Sequence, residues 1–332
     1  MDLFFAGNPF GNSGPRIVNR NFIRCLQGEV SYITLENRPL RFVEVIRKTL
    51  RSKLVIFSGL TSYDQLVILL CRLLGKKMVY IMHGFLSHEN KLNGFNNPRG
   101  EKNEKKLLEY SNLILCVSET FMIFIKGLLP QYSHKISFLT NGVDWELFDR
   151  IPQSDIQRDN RRIVLLGGGR TTKRNLEVCE AVRLLNERFH ENYHVAVYGN
   201  YRDNDQSQAI SKMSCVTFCP VIPHDKLLED FKSSFLFVQN SVFEPFSLGV
   251  IEALVCGCNL LISDKVGAKD IIHGITDIDI ITDTSDIEQI AEKILYLSNN
   301  NNNNRLLASI NKEETSIQNS ARKLLDIAQS IA

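Results

Sequence analysis

Short apolar runs alternate with longer amphipathic segments along the whole chain. The run "DLFFAG" precedes the segment "RIVNRNFIRCL", and the run "KLVIFSG" precedes "SYDQLVILLCRLLG". The runs have the length of buried strands, whereas the longer segments have the 3.6-residue spacing of helices. Strands that alternate with helices are typical of α/β proteins built on a parallel sheet. We therefore predict an α/β fold in which most strands end at Gly, Ser or His, where open parallel sheets bind their ligands.

The same pattern starts again in the second half of the chain. The run "RRIVLLGGG" enters a glycine turn, the helical segment "LEVCEAVRLLNERF" follows, and four more apolar runs come after it. Between the halves, the segment "NGVDWELFDRIPQSDIQRDNRR" is polar and has little periodicity, which is typical of a linker. The pattern predicts two Rossmann-like, doubly wound domains, residues 1–150 and 151–315, that face a central cleft where a ligand binds.

The end of the chain contains two further features. Six consecutive Asn residues, Asn299 to Asn304, predict a low-complexity loop with no evident chemistry. The segment "SIQNSARKLLDIAQSIA" has helical spacing. We expect this terminal helix, residues 316–332, to pack back on the first domain.

The composition is that of a soluble globular protein, with 44% hydrophobic and 23% charged residues among 332. No apolar run reaches the roughly 18 residues that a membrane-spanning helix needs. The N-terminal segment "MDLFFAG" lacks the basic residues of a signal peptide, so we interpret it as the first strand. The eight Cys residues show no CxxC pair or metal-like spacing and are typical of the reduced thiols of a cytoplasmic protein.

The charges are divided unequally between the halves. Residues 1–150 carry 20 Lys and Arg against 13 Asp and Glu, a net charge of +7, whereas residues 151–332 carry a net charge of −5. A basic first half suits an anionic membrane surface or a lipid phosphate, although ordinary surface variation is the alternative. We expect peripheral contact with anionic membrane at the inner face of the plasma membrane, and no nucleic-acid partner.

The stretch "SVFEPFSLGVIEALVCGC" places two carboxylates around the start of a helix. Pro245 disfavours helical geometry at Glu244, so the helix is predicted to start near Ser247, a good N-cap residue. Glu252 then lies inside the helix, and Gly257 suits its C-terminal end. The simplest interpretation is a capped helix with two solvated carboxylates.

A ligand is the alternative explanation for this stretch. The backbone amides at a helix start are unsatisfied donors at a positive dipole end, and such a site binds phosphate. One carboxylate lies ahead of this anion site and the other one to two turns behind it. The layout suits a sugar nucleotide, whose diphosphate separates sugar hydroxyls from ribose hydroxyls. The amides in question belong to Phe246, Ser247, Leu248 and Gly249.

A second candidate phosphate site follows the strand "RRIVLL". Gly168 and Gly169 let the backbone approach a ligand, and Arg170, Lys173 and Arg174 supply positive charge before the next helix. The motif is not G-x-G-x-x-G, and no acidic residue follows at the position that a dinucleotide fold requires, so a nicotinamide cofactor is disfavoured. A glycine turn with no ligand is the structural alternative.

Together these motifs resemble the GT4 family of retaining glycosyltransferases, which have the GT-B fold. Glu244 and Glu252 are similar to the E-x7-E signature of that family, and the segment "FEPFSLGVIEALVCGCNLLISDKVGAKDII" resembles its surroundings. Arg170 corresponds to an Arg that binds the donor diphosphate. The Lys that follows it in the family corresponds to Lys173 or to Arg174, because the spacing here is shorter than usual.

Three other segments resemble the same family. In "VYIMHG", His83 corresponds to a His near the donor sugar that binds a hydroxyl or stabilises charge at the reacting carbon, with a purely structural His as the alternative. In "GNPFGNSGPR", the residues Gly11, Gly14 and Arg16 belong to a glycine-rich loop that lies near the diphosphate and acceptor in the family. The segment "NGVD" resembles the architectural turn at the end of the first domain.

The resemblance implies a metal-independent enzyme without a cofactor. It would move a sugar, with retention, from a nucleotide sugar, expected to be a UDP-sugar, to a lipid-linked or oligosaccharide acceptor in bacterial surface polysaccharide synthesis. Glu244 would orient the sugar, Glu252 would bind ribose, and Arg170 and Lys173 would stabilise the leaving diphosphate. The Asp-x-Asp of "DIDI", residues 277–280, lies past this site and is interpreted as surface.

Two other functions remain open on the sequence. A sugar-nucleotide epimerase shares the architecture but requires further carboxylates and His residues that the motifs lack. A non-catalytic sugar-nucleotide binder would carry the same binding motifs as an enzyme. A transferase forms product only with an acceptor, an epimerase needs no acceptor, and a binder forms no product.

Overall fold

A computed structural model describes residues 2–11, 13–149 and 157–332. The chain forms two compact units, residues 1–146 with 312–332 and residues 147–311. Helices and strands are numbered in chain order. Among the described residues, no helix is both long enough and apolar enough to cross a membrane.

The first unit contains a six-stranded sheet in which every neighbouring pair is parallel. Its order is β2-β1-β3-β4-β5-β6, so the chain changes direction of winding between β1 and β3. The strands are β1 Leu3–Phe5, β2 Ser31–Tyr32, β3 Leu54–Ser58, β4 Lys77–Met82, β5 Leu113–Cys116 and β6 Ile136–Phe138. The helices are α1 Gly14–Cys25, α2 Arg38–Arg51, α3 Asp64–Leu73, α4 Leu86–Asn93, α5 Pro98–Tyr110, α6 Glu119–Leu128 and the terminal α14 Ile317–Ile331. A further helix, α7 Trp145–Asp149, crosses the division between the two units.

The segment Asn141–Asp144 attaches the terminal helix to the first sheet's unit. Val143 accepts a backbone hydrogen bond from Ile317 at 3.0 Å and donates one to Thr315 at 2.9 Å. A Cβ atom at Gly142 would lie 2.3 Å from the Cα atom of Ile317, so only glycine permits this approach. The terminal helix α14 also packs on α1. The segment that we interpreted as a linker therefore contains a buried anchor, the helix α7 and the first residues of the next strand.

The second unit contains another all-parallel six-stranded sheet, in the order β12-β11-β10-β7-β8-β9. This is the doubly wound order of dinucleotide-binding folds, with β7 and β10 as central neighbours. The strands are β7 Asp159–Leu166, β8 His194–Tyr198, β9 Val216–Cys219, β10 Ser234–Gln239, β11 Asn259–Ser263 and β12 Ile280–Ile281. The helices are α8 Asn175–Phe189, α9 Asp205–Ser211, α10 His224–Ser233, α11 Leu248–Val255, α12 Ile287–Asn299 and α13 Asn303–Ala308. The α/β prediction, with two doubly wound parallel sheets, is confirmed.

Burial explains why the apolar runs form central strands. The side chains of β3, β10 and β11 are all buried, as expected for strands covered on both faces. In the second unit, one apolar cluster joins β7, β8 and β10 to the inner faces of α8 and α12. The core therefore holds the carboxyl ends of these strands at fixed positions.

Two predictions about the end of the chain were wrong. Asp279, interpreted as surface, is completely buried, and both of its carboxylate oxygens lie 2.9 Å from Arg305 Nη2. The asparagine run is not a simple loop, since it ends α12 and begins α13. Asn302 and Asn303 are buried, and Asn302 Nδ2 donates to Asp279 Oδ1 at 2.7 Å and to the Leu260 carbonyl at 2.8 Å. Amide side chains here satisfy buried strand ends, a role that composition does not show.

We expect Asn302→Ala to lower the free energy of unfolding by about 2–4 kcal/mol, because it leaves a buried carboxylate and two strand-end groups short of a partner. Asn302 Oδ1 also accepts from the Leu260 amide at 3.0 Å. Urea unfolding measures the loss. Asn304→Ala, in the same run but exposed, is the control and should change stability by less than about 0.5 kcal/mol. Equal effects of the two substitutions would contradict this role.

Candidate functional site

The candidate site of the second unit lies where the direction of winding changes, at the carboxyl ends of β7 and β10. Ligands of open α/β sheets bind at such a point. The segment after β7 holds the glycine triplet and the cations Arg170, Lys173 and Arg174, and the segment after β10 holds Glu244. The topology therefore brings together two motifs that are about 70 residues apart in sequence.

A backbone hydrogen bond aligns these two segments. Val242 donates to the Thr172 carbonyl at 3.0 Å, which places Lys173 beside Glu244. Lys173 Nζ forms an ion pair with Glu244 Oε2. The Lys173 side chain is 14% exposed and the Glu244 side chain is 15% exposed. Because water is largely excluded, the Coulomb attraction between the two groups is stronger than in a surface ion pair. The structure thus joins two of the predicted catalytic residues directly.

Glu244 is held from both its backbone and its side chain. Its carbonyl accepts from the Gly267 amide at 3.0 Å, so the loop after β11 fixes its position. Gln239, the last residue of β10, donates from Nε2 to Glu244 Oε2 at 3.2 Å and to Ser241 Oγ at 2.7 Å. The carboxylate is therefore orientated before any ligand binds, as a binding group requires.

The start of α11 has unusual backbone geometry. The helix begins at Leu248, and Ser247 before it has φ +82°, a conformation that costs free energy for any residue except glycine. The predicted side-chain cap is wrong, because Ser247 Oγ makes no capping hydrogen bond and lies 3.5 Å from Gln239 Oε1. The first amides of a helix have no intrahelical acceptor. Phe246, Leu248 and Gly249 therefore lie at a positive helix end with a strained entry.

Glu252 lies one turn into α11, and its partner is His224 at the first position of α10. His224 Nε2 is 2.9 Å from Glu252 Oε1, and the Glu252 side chain is 16% exposed. The hydrogen bond to Glu252 raises the pKa of His224 above its ordinary value. The imidazole thus holds one oxygen of the carboxylate.

We expect the stability contributed by His224 to depend on pH. A raised folded-state pKa means that this contribution is complete below the unfolded value of about 6.5 and is lost as the pH rises through the folded value. Urea unfolding of wild type and His224→Gln should therefore differ most at low pH. In a Glu252→Gln background the difference should lose its pH dependence, whereas an unchanged dependence there would assign it to another group.

Each glycine of the triplet makes room for a different neighbour. A Cβ atom at Gly167 would lie 2.5 Å from Lys173 Cγ, and one at Gly168 would lie 2.5 Å from the Asn200 carbonyl oxygen. A Cβ atom at Gly169 would overlap Ser207 Oγ. The triplet therefore lets the Lys173 side chain and the loop after β8 pack against the end of β7.

The three predicted cations have different environments. Arg170 is exposed, whereas Arg174 has φ +50° and its Nη1 lies 2.5 Å from Glu177 Oε1. Burial, together with the Arg170 cation, lowers the pKa of Arg202, so a further Arg lies near Arg170. Lys173 is the cation paired with Glu244, and Arg174 is directed to the helix that follows it.

The first unit carries its predicted residues around the β1–β3 change of winding. His83 follows β4, and its Nε2 lies 2.8 Å from Ser58 Oγ at the end of β3. Burial lowers the pKa of His83 to about 4, so the ring is neutral at neutral pH.

The N-terminal glycine-rich loop is held by a residue that the motif did not indicate. Arg20 Nη1 donates to the Pro9 and Gly11 carbonyls. Arg16 is exposed, and its side chain passes next to Gly11, which has φ +102°. Gly14 begins α1, and a Cβ atom there would meet no neighbour. The structure therefore places the three predicted acceptor-side residues at the start of α1.

The motifs missed five residues of these two sites. Each is a polar side chain at a strand end or on a neighbouring helix, and only the fold shows its proximity. A polar residue at the end of an apolar run was the available signal for Ser58 and Gln239. The five are Asn19, Arg20, Ser58, His224 and Gln239.

The residue types at the second unit's site are those that suit a polyol phosphate. A positive helix end and a cluster of cations suit an anion, and two held carboxylates suit hydroxyl groups on either side of it. Among the described residues, no group of three or more His, Cys, Asp or Glu side chains is arranged around a common point.

Comparison with known proteins gives three similarities. An uncharacterized glycosyltransferase of Methanocaldococcus jannaschii, MJ1607, is 23% identical over 171 residues, which are 48% of this chain and 44% of that protein. Anabaena HepE, solved with UDP and glucose, is 14% identical with a TM-score of 0.72, covering 99% of both chains. A UDP-forming trehalose-phosphate synthase from Burkholderia xenovorans is 11% identical with a TM-score of 0.68, also covering 99% of both.

The two solved structures share this chain's two-domain GT-B fold. The family model for glycosyl transferases group 1 matches residues 148–317, about half of the chain. That range contains both carboxylates, the glycine triplet and the three cations described above. The chain therefore belongs to the family of glycosyl transferases group 1.

Proposed function

We propose that the protein is a retaining glycosyltransferase of the GT4 type that takes its sugar from a nucleotide sugar. The observation that carries the proposal is the Lys173–Glu244 ion pair at the carboxyl ends of β7 and β10, with Glu252 eight residues further along. HepE has been solved with UDP-glucose, which supports a UDP-sugar as the donor. The acceptor is proposed to be a lipid-linked saccharide or oligosaccharide of a bacterial surface polysaccharide.

Binding of the donor would exchange the partners of this ion pair. The diphosphate would take Lys173 and Arg170, because phosphate oxygens carry more charge than one carboxylate. Glu244, still fixed by Gln239 and by the Gly267 amide, would then accept from hydroxyls of the sugar. Glu252 would accept from the ribose hydroxyls beside His224. The ligand-free ion pair thus keeps both groups in position.

Protein cations would stabilise the leaving group in this proposal. In the transfer step, the bond between the sugar anomeric carbon and the diphosphate oxygen breaks, and a bond to the acceptor oxygen forms on the same face. The acceptor proton passes to the leaving phosphate oxygen. Lys173 and Arg170 would offset the developing charge, which supports metal-independent transfer.

A donor screen tests the proposal. Thermal unfolding in the presence of UDP-, GDP- and ADP-sugars should show a rise in Tm with one nucleotide class, since a ligand of the folded state stabilises it. The best donor is then incubated with lipid-linked acceptors, and transfer is measured. Conversion of the donor sugar without an acceptor would favour an epimerase, and binding without any product would favour a non-catalytic homologue. No rise with any donor would refute the donor site.

We also propose that the protein makes peripheral contact with a membrane. The helix α2 carries an exposed stripe in which Leu40, Val43 and Leu50 are 56%, 62% and 51% exposed, with the exposed Arg47 between them. Apolar and basic side chains on one helix face suit the surface of an anionic bilayer. We propose that α2 lies against the inner face of the plasma membrane, where a lipid-linked acceptor would be available.

Vesicle sedimentation tests this contact. The protein should bind vesicles that contain phosphatidylglycerol and should not bind pure phosphatidylcholine, with binding weakened by salt. Val43→Glu should reduce binding, whereas Ile123→Glu on α6, at a residue that is 63% exposed, is the matched control. Equal loss with both variants, or equal binding to both vesicles, would refute a role for α2.

A further inference from the structure

A chain of three buried or partly buried side chains connects α1, β3 and the end of β4. Asn19 and Ser58 are each 2% exposed. Ser58 Oγ lies 2.6 Å from Asn19 Oδ1 and 2.8 Å from His83 Nε2. The hydroxyl of Ser58 therefore connects an amide to an imidazole.

The amide of Asn19 has one possible orientation. Its Nδ2 lies 3.1 Å from the Asn8 carbonyl oxygen and 3.5 Å from the Ser58 carbonyl oxygen. Both neighbours are acceptors, so the NH₂ group must face them and Oδ1 must face the Ser58 hydroxyl. In the reverse orientation, Asn19 Oδ1 would face the Asn8 and Ser58 carbonyl oxygens with no proton between them.

This orientation determines the position of each proton in the chain. Asn19 Oδ1 has no proton, so the single hydroxyl proton of Ser58 must lie between the two oxygens. Ser58 Oγ can then only accept from His83, which places the ring proton on Nε2. A Cβ atom at Gly59 would lie 3.7 Å from His83 Cδ2, so the Cδ2 edge of the ring faces Gly59. Within the described residues, His83 Nδ1 makes no hydrogen bond.

We propose that Asn19 and Ser58 are positioning residues that hold His83 as the Nε2–H tautomer, so that Nδ1 accepts a hydrogen bond from a hydroxyl of the transferred sugar. This inference rests on the proposed function for its ligand but not for its tautomer. A neutral imidazole can accept only at its unprotonated nitrogen. With the other tautomer, Nδ1–H would be directed at the hydroxyl and the sugar would need to supply an acceptor. The relay would thus make the sugar hydroxyl the hydrogen-bond donor, and Nδ1 the acceptor, at this position.

The tautomer can be measured in the ligand-free protein. Long-range ¹H–¹⁵N NMR of protein labelled at the His rings distinguishes a protonated from an unprotonated nitrogen, and His83→Gln assigns the signal among seven His residues. Wild type should show a protonated Nε2 and an unprotonated Nδ1 at neutral pH. A protonated Nδ1, or a charged ring, would overturn the proposal whether or not a donor binds.

Variants of Ser58 test the cause. Ser58→Ala removes the acceptor and should convert His83 to a mixture of tautomers, whereas Ser58→Thr retains a hydroxyl at a strand end and should restore the Nε2–H form. Ser52→Ala is the control, because Ser52 is equally buried, bonds the Thr49 carbonyl and contacts no His in this network. A His83 signal that does not change in Ser58→Ala would overturn the relay. If that variant fails to fold, the wild-type measurement still tests the proposal.

Ligand affinity tests the consequence. Ser58→Ala should weaken UDP-glucose by about tenfold relative to wild type, the effect of one hydrogen bond to a buried group, and should leave the affinity for UDP unchanged. Ser58→Thr should restore the affinity for UDP-glucose. An equal loss for UDP-glucose and UDP would overturn the assignment of Nδ1 to a sugar hydroxyl. Failure of both compounds to bind wild type would instead refute UDP-glucose as the donor, and the tautomer result would stand.

Discussion

Glu244→Ala is expected to reduce transfer by about 100-fold or more, the effect of misplacing a reacting group by about 1 Å. The substitution removes the proposed contact with the donor sugar. It also leaves the Lys173 ammonium without its carboxylate, although only 14% of the Lys173 side chain is exposed to water. The loss should appear mainly in kcat, because the diphosphate and nucleoside contacts remain. Steady-state kinetics with the best donor from the screen provide the measurement.

The matched control is Glu229→Ala. Glu229 also pairs with a Lys in the same unit, with Oε2 2.9 Å from Lys226 Nζ, but both side chains are more than half exposed, at 59% and 54%. An exposed pair contributes little to stability and, at this position, nothing to the proposed site. Wild-type kcat in Glu244→Ala would remove this carboxylate from the mechanism, whereas a similar loss in Glu229→Ala would indicate a general effect of charge.

The second large effect is expected on stability. Gly168→Ala should lower the free energy of unfolding by about 2–5 kcal/mol, the sum of a left-handed backbone cost and a steric cost. Gly168 has φ +56°, and a Cβ atom there would lie 2.5 Å from the Asn200 carbonyl oxygen and 2.8 Å from the Gly199 carbonyl carbon. These are backbone atoms, so the loop after β8 must move away from the end of β7. Thermal and urea unfolding measure the effect.

Gly75→Ala separates the two contributions. Gly75 has φ +63°, close to that of Gly168, but a Cβ atom there would meet nothing within 4 Å. It should therefore lose only the backbone part, about 1–2 kcal/mol. If both variants lose the same amount, the close approach of the Gly168 and Asn200 backbones does not contribute to stability.

The fold was largely predictable because its elements have strong local patterns. Central strands such as β3 and β10 are buried along their whole length, so their apolar runs are clear in the sequence. The helix α8 has helical spacing throughout, and Gly257 ends α11 with φ +88°, as its position predicted. Local preference and tertiary structure agree at these positions.

The errors occurred where long-range contacts override local preference. Asp279 belongs to a polar segment, yet Arg305 and Asn302 compensate its burial. Ser247 is a residue type that often caps a helix with its side chain, yet here its backbone has a positive φ and its side chain makes no capping hydrogen bond. The partners of the two candidate carboxylates, Gln239 and His224, follow from strand order and helix packing, which no motif encodes. The roles of the candidate residues in binding and transfer stay predictions.

Titration calorimetry of UDP against wild type, Glu252→Ala and Glu244→Ala tests the donor site most directly. UDP carries the ribose and diphosphate but no sugar. Glu252→Ala should therefore weaken UDP binding by about tenfold or more, whereas Glu244→Ala should retain or increase the affinity because it frees Lys173 for the diphosphate. UDP binding that is unchanged in Glu252→Ala and abolished in Glu244→Ala would contradict the assignment of the two carboxylates.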